Sequence, residues 1–576
     1  MCGIVGFAKK NCVKEVYNGL KRLEYRGYDS VGMAFFDEGK LKTVKRKGRI
    51  ENLPLPSSGD YGIGHTRWAT HGEPSDVNAH PHSSKNFSLV HNGIVENYSV
   101  IKKFLIEKGY SFSSRTDTEV IAQFLEYHYR GDVLECLGKL DLLEGSYALA
   151  ILNADYPDRI FLAKKENPLI IGECDGYFCF ASDVPAIIEH TDRVYKMKDG
   201  EIAVVKKDEV ELYRDGKRKK IVFSSTKLKV SQIDLSGYSS YMRKEIGEIP
   251  QALKATVENL YAKGLSEKSL SLLKGAESVD LVGCGSAYNA CLYAKYLLEE
   301  KLNFPVSCET SGEYRYRKKA PAKLVVAVTQ SGETSDTIGA VKRAKKAGSY
   351  VIAITNVPDS DVTQNADDSL ITIAGAEIAV AATKSYSTQL AALRYVVEEL
   401  AAAKGTPLPK IDPDFLFTAA KELVDRYDDI EQIANKEYEN LFFIGRSVDY
   451  STALEGALKT KEIAYIPSDA CPAAEIKHGP LAMVDEKTLV ICISTVKRLS
   501  AKCQNAVNEV KTRGAKVLIV SPFESTQDER IVIPDADDLS PVLSAIPLQQ
   551  LALALTIKKG LDPDKPRHLA KSVTVE

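Results

Sequence analysis

Residues 324–337 read LVVAVTQSGETSDT, and this stretch decides the fold class of the C-terminal half of the chain. Its leading apolar residues predict a strand buried on both faces, as in a parallel sheet covered by helices. A helix is predicted near 335–347, and a further apolar strand at 350–354. A strand, a helix and another strand in this order predict a doubly wound α/β domain.

The α/β pattern occurs twice, as a weak internal repeat. The first copy opens with VDLVGCGS at 279–286, and the second opens with NLFFIGRS at 440–447. We therefore predict two similar α/β domains over 265–405 and 430–560, followed by a tail over 561–576.

The N-terminal part of the chain has a different pattern. Residues 1–222 read mostly as strands, with two helical stretches near 13–24 and 117–129. Strands with few helices in this order predict an α+β layered domain. Serine-rich segments then interrupt the periodicity, so 223–264 is predicted to be a linker and a leading helix.

Composition narrows the possible functions. The 576 residues are 44% hydrophobic and 27% charged with a net charge of -2, so no nucleic-acid partner is expected. The most apolar run, 548–557, is shorter than the ~20 residues that span a bilayer, so no membrane partner is expected. The 11 cysteines, an odd count without a C-x-x-C pair, argue against a disulfide framework and a zinc site. We expect a cytoplasmic protein.

The loop after the first-copy strand has the chemistry of a phosphate site. Thr329, Ser331 and Thr334 offer hydroxyl donors before a helix N-terminus, and Gly332 lets the backbone approach a phosphate. The alternative is that these hydroxyls only cap the helix. The equivalent second-copy stretch, ISTVKRL at 493–499, lacks the glycine and most hydroxyls, which predicts one phosphate site per chain.

Acid–base groups occur on a predicted helix over 451–463. Glu455, Lys459 and Glu462 lie four and three residues apart and therefore share one face. The alternative is an exposed ion-pair stripe. His478 lies on a turn constrained by the Gly-Pro pair that follows it.

The tail contains Lys571. Most lysines near a chain end are simply solvated. A desolvated lysine with a depressed pKa, however, can form a Schiff base with a carbonyl.

Cys2 is the candidate nucleophile of the N-terminal domain. Removal of Met1 would leave its thiol beside a free α-amine, which has a pKa of about 7.7–8.0 and can act as a base. The alternative is a small buried residue without a catalytic role.

Other polar residues suit an α-amino acid substrate. Asn92 and the amide of Gly93 could form an oxyanion hole, Arg67 could pair with a carboxylate, and Asp117 could hold an ammonium group. As alternatives, Asn92 and Gly93 could form a turn and Asp117 could cap a helix.

Histidines are frequent in the same region and raise the question of a metal site: His65, His71, His80, His82 and His91. Because cysteine partners and an H-E-x-x-H motif are missing from the sequence, we expect no metal.

Five motifs together resemble the family of isomerizing glutamine–fructose-6-phosphate aminotransferases, or glucosamine-6-phosphate synthases. They are MCGIVG at 1–6, EYRGYDS at 24–30, HTRWATHG at 65–72, QSGET at 330–334 and LAKSVTVE at 569–576. The resemblance covers essentially the whole chain. It implies an αββα N-terminal-nucleophile glutaminase domain, of the class II amidotransferases, followed by two sugar isomerase (SIS) domains.

The resemblance also implies the activity. L-Glutamine and D-fructose 6-phosphate would give L-glutamate and D-glucosamine 6-phosphate, the first step of hexosamine synthesis, with ammonia channelled between two sites. It implies a homodimer that needs no metal or organic cofactor.

The resemblance also implies roles for individual residues of this chain, wherever they match the motifs of the family. In the glutaminase, Cys2 would attack the amide, Asn92 and Gly93 would stabilise the oxyanion, Trp68 would gate the channel, and glutamine would be held by Arg67, Thr70, His71, Gly93 and Asp117. In the isomerase, Lys571 would form the Schiff base, Glu462 would move a proton between C1 and C2, and His478, from a neighbouring subunit, would open the ring. The phosphate would be held by Ser286, Thr329, Gln330, Ser331 and Thr334, and the sugar would be lined by Glu377, Val380, Lys459 and Ala570.

Three positions depart from the family pattern. Ala287 stands where many members have a hydroxyl, which puts one sugar or phosphate contact in doubt. Thr329 replaces a common serine and keeps a donor, and His568 occupies a position that is often asparagine.

Two other functions fit parts of the pattern. An amidotransferase acting on phosphoribosyl diphosphate needs paired acids followed by a small-residue loop, and after 530–538, RIVIPDADD, no such loop follows. A sugar-phosphate sensor with a vestigial glutaminase is the second alternative, although the sequence shows no helix-turn-helix or basic reading element. Glutamate release from glutamine, with and without fructose 6-phosphate, separates these functions.

Overall fold

The structure is a computed structural model that describes residues 2–226, 234–523 and 528–574. Met1, residues 227–233 of the predicted linker and the last two residues of the predicted tail lie outside the described residues. The chain forms two compact units, Leu235–Leu569 on the one hand and Met1–Asp234 with Ala570–Glu576 on the other. The predicted tail is therefore divided between the units. The domain boundaries given above stay predictions.

The first unit is built mainly from antiparallel strands. Its strands are β1 (Gly3–Ala8), β2 (Ser30–Asp37), β3 (Lys40–Lys47), β4 (Asp60–Arg67), β5 (His82–Ser83), β6 (Phe87–Val95), β7 (Gly145–Asn153), β8 (Arg159–Lys165), β9 (Ile170–Cys174), β10 (Tyr177–Ala181), β11 (Arg193–Lys196), β12 (Glu201–Lys206), β13 (Val210–Arg214), β14 (Lys217–Lys219) and β15 (Ser224–Ser225). Its α-helices are α1 (Val13–Leu23), α2 (Tyr98–Glu107), α3 (Thr118–His128) and α4 (Val133–Leu137).

These strands form two sheets that pack face to face. One sheet has the order β15-β11-β9-β10-β1-β4-β2-β3, and the other has the order β14-β13-β12-β8-β7-β6-β5. Ile4 and Ile63 of the first sheet share one core with Val90 and Leu162 of the second. Helix α1 covers the outer face of the first sheet, and α2 to α4 cover the second. The predicted αββα layering is confirmed.

The prediction of two helices in this unit was incomplete. Helices α1 and α3 lie where the sequence placed them, but α2 and α4 were missed. Helix α2 has Ile101, Phe104 and Leu105 at helical spacing, so a local signal for it was present and was overlooked. Helix α4 has 5 residues, too few to establish a period.

The second unit begins with helices α5 (Tyr241–Gly247), α6 (Ile249–Lys263) and α7 (Glu267–Gly275). The first α/β copy follows as β16 (Val279–Gly283), α8 (Ser286–Leu302), β17 (Val306–Thr310), α9 (Ser311–Tyr316), β18 (Leu324–Val328), α10 (Ser335–Lys346), β19 (Tyr350–Thr355), α11 (Asp361–Asn365), β20 (Asp368–Ile371) and α12 (Lys384–Ala403). Its strands form a parallel sheet in the order β17-β16-β18-β19-β20, as the apolar runs predicted.

The second copy repeats this arrangement. It consists of α13 (Pro413–Asp425), α14 (Tyr427–Ala434), β21 (Asn440–Gly445), α15 (Asp449–Lys459), β22 (Ser468–Pro472), β23 (Thr488–Ile493), α16 (Ser500–Lys511), β24 (Lys516–Ser521), β25 (Glu529–Val532) and α17 (Ser540–Lys558). Its parallel sheet has the order β22-β21-β23-β24-β25. The helix predicted over 451–463 is α15 followed by a π-helical turn at Thr460–Ala464.

Helix α17 is the apolar centre of the second unit. Among the described residues, Asp537–Lys558 is the one helical segment long and apolar enough to cross a membrane by length and composition, and 94% of its most apolar window is buried. Gln549 and Gln550 donate to the carbonyls of Thr383 and Val424 at 3.3 and 3.0 Å. The two glutamines that interrupt the apolar run thus donate hydrogen bonds to backbone carbonyls inside the core.

Candidate functional site

Cys2 lies at the start of β1, beside the loop that leaves β4. Its Sγ lies 3.6 Å from the carbonyl oxygen of Trp68 and 3.4 Å from its amide nitrogen. Burial raises the pKa of the Cys2 thiol above its usual value, and the hydrogen bond from Trp68 and the charge of Arg67 oppose this. A thiol held protonated in this way needs a base before it can attack a carbonyl.

Asn92 and Gly93 lie within strand β6, so the alternative that they form a turn is wrong. Asn92 Nδ2 donates to the carbonyl oxygen of Cys2 at 3.0 Å. Gly93 has φ 140, and a Cβ there would lie 2.0 Å from the carbonyl oxygen of Ser146. Only glycine fits at this point, directly after the residue that binds the carbonyl oxygen of Cys2.

Arg67 ends β4 and anchors the following loop. Its Nη2 donates to the carbonyl oxygens of His71 and Gly72, the second at 2.9 Å. Asp29 holds the same loop by accepting from the amide of Ala69 at 2.8 Å. Arg67 Nη1 is buried without a hydrogen-bond partner among the described residues. A fixed, unpaired guanidinium N–H suits a substrate carboxylate.

Asp117 lies at the N-terminal end of α3, but its side chain makes no capping hydrogen bond. Instead Asp117 Oδ2 accepts from the amide of Val95, the last residue of β6, at 2.9 Å. The helix-cap alternative is therefore wrong for this carboxylate. Trp68 and His71 are half-buried, and Thr70 is exposed.

Four buried histidines of the first unit lie together: His65, His80, His82 and His91. The rings of His65 and His80 stack at 4.0 Å, and His65 Nε2 lies 3.0 Å from the carbonyl oxygen of His91. His91 Nδ1 lies 2.9 Å from Thr118 Oγ1. Burial lowers the pKa of His65 to about 3 and also lowers the pKa values of His80 and His91, so these rings are neutral at pH 7.

In the second unit the predicted phosphate loop joins β18 to α10. The hydroxyls of Thr329 and Thr334 lie 3.0 Å apart, and Ser331 Oγ accepts from the amide of Glu333 at 3.1 Å. Thr334 makes no side-chain capping hydrogen bond to α10, so its hydroxyl is not used as a cap.

Gly332 is required for a reason that the sequence did not reveal. Its φ is 71, and a Cβ at this position would lie 2.0 Å from Ser360 Oγ. The glycine allows close packing of the loop against Ser360, not only approach of a ligand.

The acid–base residues form a buried charge network, so the alternative of an exposed ion-pair stripe is wrong. Lys459 Nζ lies 2.7 Å from Glu462 Oε2 and 3.4 Å from Glu455 Oε1, and the Lys459 side chain is 1% exposed. Burial alone would lower the pKa of Lys459, but the two carboxylates raise it above its usual value. Burial raises the pKa of Glu455, against the opposing charge of Lys459.

Ser286 links this network to the first α/β copy. Its Oγ donates to Glu455 Oε1 at 2.8 Å and lies 3.1 Å from Lys459 Nζ. Asn289 Nδ2, one turn further along α8, donates to Glu455 Oε2 at 2.9 Å. Asn289 was missed by the sequence reasoning, and Glu455 was noticed but given no role. The spacing of three residues between Ser286 and Asn289 was the available signal for Asn289.

Glu377 and Val380 lie on the loop that precedes α12. The Glu377 carboxylate accepts from the amides of Thr383 and Ser385, both at 3.0 Å, and from Ser385 Oγ at 2.7 Å. The amide of Val380 donates to the carbonyl oxygen of Asp564 at 3.0 Å. Glu377 thus fixes the loop at the start of α12, where a carboxylate also suits the helix dipole.

His478, Ala570 and Lys571 are the remaining predicted residues of the second site. His478 is exposed, at the end of a 3-10 turn over Glu475–His478. Ala570 and Lys571 belong to the first unit, both half-buried. Three residues after Lys571, Thr574 Oγ1 donates to Asn167 Oδ1 at 2.9 Å in that unit.

Comparison with known families agrees with these two sets of residues. Residues 65–189 match the glutamine amidotransferase domain, and residues 272–398 and 433–559 match the SIS domain. The chain is thus a glutamine amidotransferase joined to a pair of SIS domains, which confirms the predicted fold class.

Individual relatives identify the family. Proteins from Caldanaerobacter subterraneus subsp. tengcongensis and Pyrococcus horikoshii are 45% and 40% identical over 612 and 608 aligned positions, covering 100% of both chains in each case. Both are named glutamine–fructose-6-phosphate aminotransferase (isomerizing). This chain belongs to that family, as the motifs indicated.

A solved structure agrees with the second unit. It is the C-terminal domain of glucosamine-fructose-6-phosphate aminotransferase from Francisella tularensis, which superposes with a TM-score of 0.53 at 32% identity. The match covers 57% of this chain and 99% of that one.

Proposed function

We propose that this chain transfers the amide nitrogen of L-glutamine to D-fructose 6-phosphate, giving L-glutamate and D-glucosamine 6-phosphate. One observation carries the proposal: a single chain has a thiol at Cys2 close to the charge of Arg67, whose Nη1 is unpaired among the described residues, and also a buried Glu455–Lys459–Glu462 network that Ser286 contacts. Neither the Cys2 site nor the Lys459 network alone would transfer nitrogen from an amide donor to a sugar phosphate.

In the first half-reaction, Cys2 Sγ attacks the side-chain amide carbon of glutamine. After removal of Met1, the α-amine of Cys2 takes the thiol proton and returns it to the leaving ammonia. Asn92 Nδ2 and the Gly93 amide stabilise the oxyanion, and water then hydrolyses the thioester to glutamate and the free thiol.

Substrate recognition in this half uses charge. Arg67 pairs with the glutamine carboxylate, Asp117 pairs with its ammonium group, and Thr70 and His71 complete the pocket. Trp68, which contacts the sulfur through its backbone, gates the passage of ammonia.

In the second half-reaction, Lys571 Nζ forms a Schiff base with C2 of the open-chain sugar, which His478 of a neighbouring subunit has helped to open. Ammonia adds at C2 and displaces the lysine amine. Glu462 then takes a proton from C1 and returns it to C2, while the proton of the C1 hydroxyl passes to the imine nitrogen, and the ketose imine becomes the 2-amino aldose.

The sugar phosphate is held by the first α/β copy. The hydroxyls and amides of Ser286, Thr329, Gln330, Ser331 and Thr334 bind the phosphate at the N-terminus of α10. Lys459, Glu377, Val380 and Ala570 line the sugar. The enzyme acts as a cytoplasmic homodimer, and ammonia passes internally because protonation in water would end its nucleophilicity.

The test is mass spectrometry of the products formed from glutamine and fructose 6-phosphate. We expect glucosamine 6-phosphate and glutamate in equal amounts, with glutamate release stimulated by the sugar phosphate. Formation of glutamate without an amino sugar would refute the proposal. Phosphoribosyl diphosphate serves as the control acceptor, and an enzyme for that substrate would not respond to fructose 6-phosphate.

A further inference from the structure

The two α/β copies can be compared position by position, because their sheets have the same strand order. Each copy has a glycine that ends its first strand and packs against the following helix. A Cβ on Gly283 would lie 2.8 Å from the backbone carbon of Ala287, and a Cβ on Gly445 would lie 2.6 Å from the backbone oxygen of Asp449. Ala287 and Asp449 therefore occupy equivalent places.

The loops after the next strands also correspond. The amide of Thr329 donates to the carbonyl oxygen of Ile354, and the amide of Ser494 donates to that of Val520, both at 3.0 Å. Thr495, which follows Ser494, is accordingly the counterpart of Gln330, and the next residue, Val496, is the counterpart of Ser331. In the first copy, these are loop positions assigned to phosphate.

In the second copy the first of these loop positions binds Asp449. The amide of Thr495 donates to Asp449 Oδ2 at 2.9 Å, and Thr495 Oγ1 donates to Asp449 Oδ1 at 2.5 Å. Asp449 is 1% exposed, so an internal carboxylate is bound by a loop amide and a loop hydroxyl in the buried interior. Alanine at 287 presents no such group to the first loop.

We propose that Asp449 is a resident carboxylate that occupies the phosphate position of the second loop, so that phosphate monoesters are excluded there and each chain binds one sugar phosphate. A second anion cannot enter because the same donors cannot serve two anions and because buried like charges repel. The inference rests on the proposed function in so far as the first loop is taken to bind phosphate.

The first experiment counts bound phosphate on the full chain. Inorganic phosphate is titrated by equilibrium dialysis into the wild type, Asp449→Ala and Asp449→Asn, at ionic strength matched with chloride. We expect Asp449→Ala to bind an additional phosphate per chain, while Asp449→Asn, which still fills the position, matches the wild type. A folded Asp449→Ala that binds no additional phosphate would overturn the proposal.

A second variant, in the first α/β copy, tests the proposal even if Asp449→Ala does not fold. Ala287→Asp places a carboxylate at the equivalent position of the first copy, and Ala287→Asn is the neutral control of the same size. We expect Ala287→Asp to raise KM for fructose 6-phosphate about tenfold more than Ala287→Asn does, with glutamine hydrolysis retained. Equal KM values for the two variants would contradict the proposal.

The two proposals fail separately. If the wild type makes no glucosamine 6-phosphate, the proposed function falls, but the phosphate count of Asp449→Ala still reports on Asp449. If synthesis proceeds and Asp449→Ala gains no phosphate, only the inference about Asp449 falls.

Discussion

The two candidate sites hold their polar groups in opposite ways. Around Cys2, three buried atoms have no hydrogen-bond partner in the part of the chain that the structure describes: Arg67 Nη1, His71 Nδ1 and Asn92 Oδ1. In the second unit, Lys459 pairs with two carboxylates and contacts Ser286. Unpaired buried groups cost free energy, so the first site gains most from a polar ligand. In the second site the buried cation already has internal partners, so removing Lys459 is expected to affect folding first.

The largest effect is expected from removing the nucleophile of the first site. Cys2→Ala should lower glutamine-dependent synthesis about a thousandfold or more, because no other group can form the thioester. Synthesis from ammonium should continue, since the isomerase residues are unchanged. Steady-state rates with each nitrogen source provide the measurement.

Cys174→Ala is the matched control for this prediction. Cys174 is another half-buried thiol of the same unit. Its loss should leave both rates unchanged, whereas an equal loss of both rates in Cys2→Ala would argue against separate sites.

The next effect concerns the buried charges of the second site. Lys459→Met leaves Glu455 buried without its cation and should cost about 3–5 kcal/mol in the free energy of unfolding. The exposed pair of Lys421 and Asp425 supplies the control, and Lys421→Met should cost less than about 1 kcal/mol. Urea unfolding of the full chain measures both. Equal costs for the two variants would mean that Lys459 does not stabilise the buried carboxylates as described.

A smaller effect is expected for Arg67, which has an unpaired N–H in the part of the first site that the structure describes. Arg67→Lys should raise KM for glutamine about a hundredfold, because lysine cannot reproduce the fixed guanidinium geometry. Ammonium-dependent synthesis should not change. Arg46→Lys, at an arginine paired with Asp76 on the surface, is the control. An unchanged KM in Arg67→Lys would remove the carboxylate assignment.

The smallest effect is a pH dependence of stability in the first unit. His65 has a folded pKa of about 3 against an ordinary value of 6.5, so below pH 6.5 the unfolded chain binds a proton that the folded chain does not. Stability is therefore full above pH 6.5 and is lost as pH falls towards 3, by roughly 2 kcal/mol at pH 5. His65→Gln should unfold with a pH slope smaller by about one proton per chain. An identical slope would show that His65 does not carry this linkage.

Much of the fold could be predicted because its signals are local. The apolar runs of β18 and β7 mark strands without knowledge of their neighbours. Helix α2 was missed although Ile101, Phe104 and Leu105 have helical spacing, whereas the 5 residues of α4 are too few to establish a period.

The site contacts depend on distant parts of the chain. Asn92 and Cys2 are 90 residues apart, and Ser286 and Glu455 are 169 apart. The sequence suggested residue types that suit each chemistry, but nothing local indicates that the carboxylate of Asp449 accepts from a loop 46 residues away. Such contacts depend on how the helices, strands and loops pack in the folded chain.

The most direct measurement of the central claim follows the nitrogen itself. Glutamine labelled with 15N in its side-chain amide is supplied together with fructose 6-phosphate and an excess of unlabelled ammonium, and the isotope content of glucosamine 6-phosphate is read by mass spectrometry. Internal transfer predicts that the product keeps the label with little dilution. A product whose nitrogen matches the surrounding ammonium would contradict the coupling of the two sites.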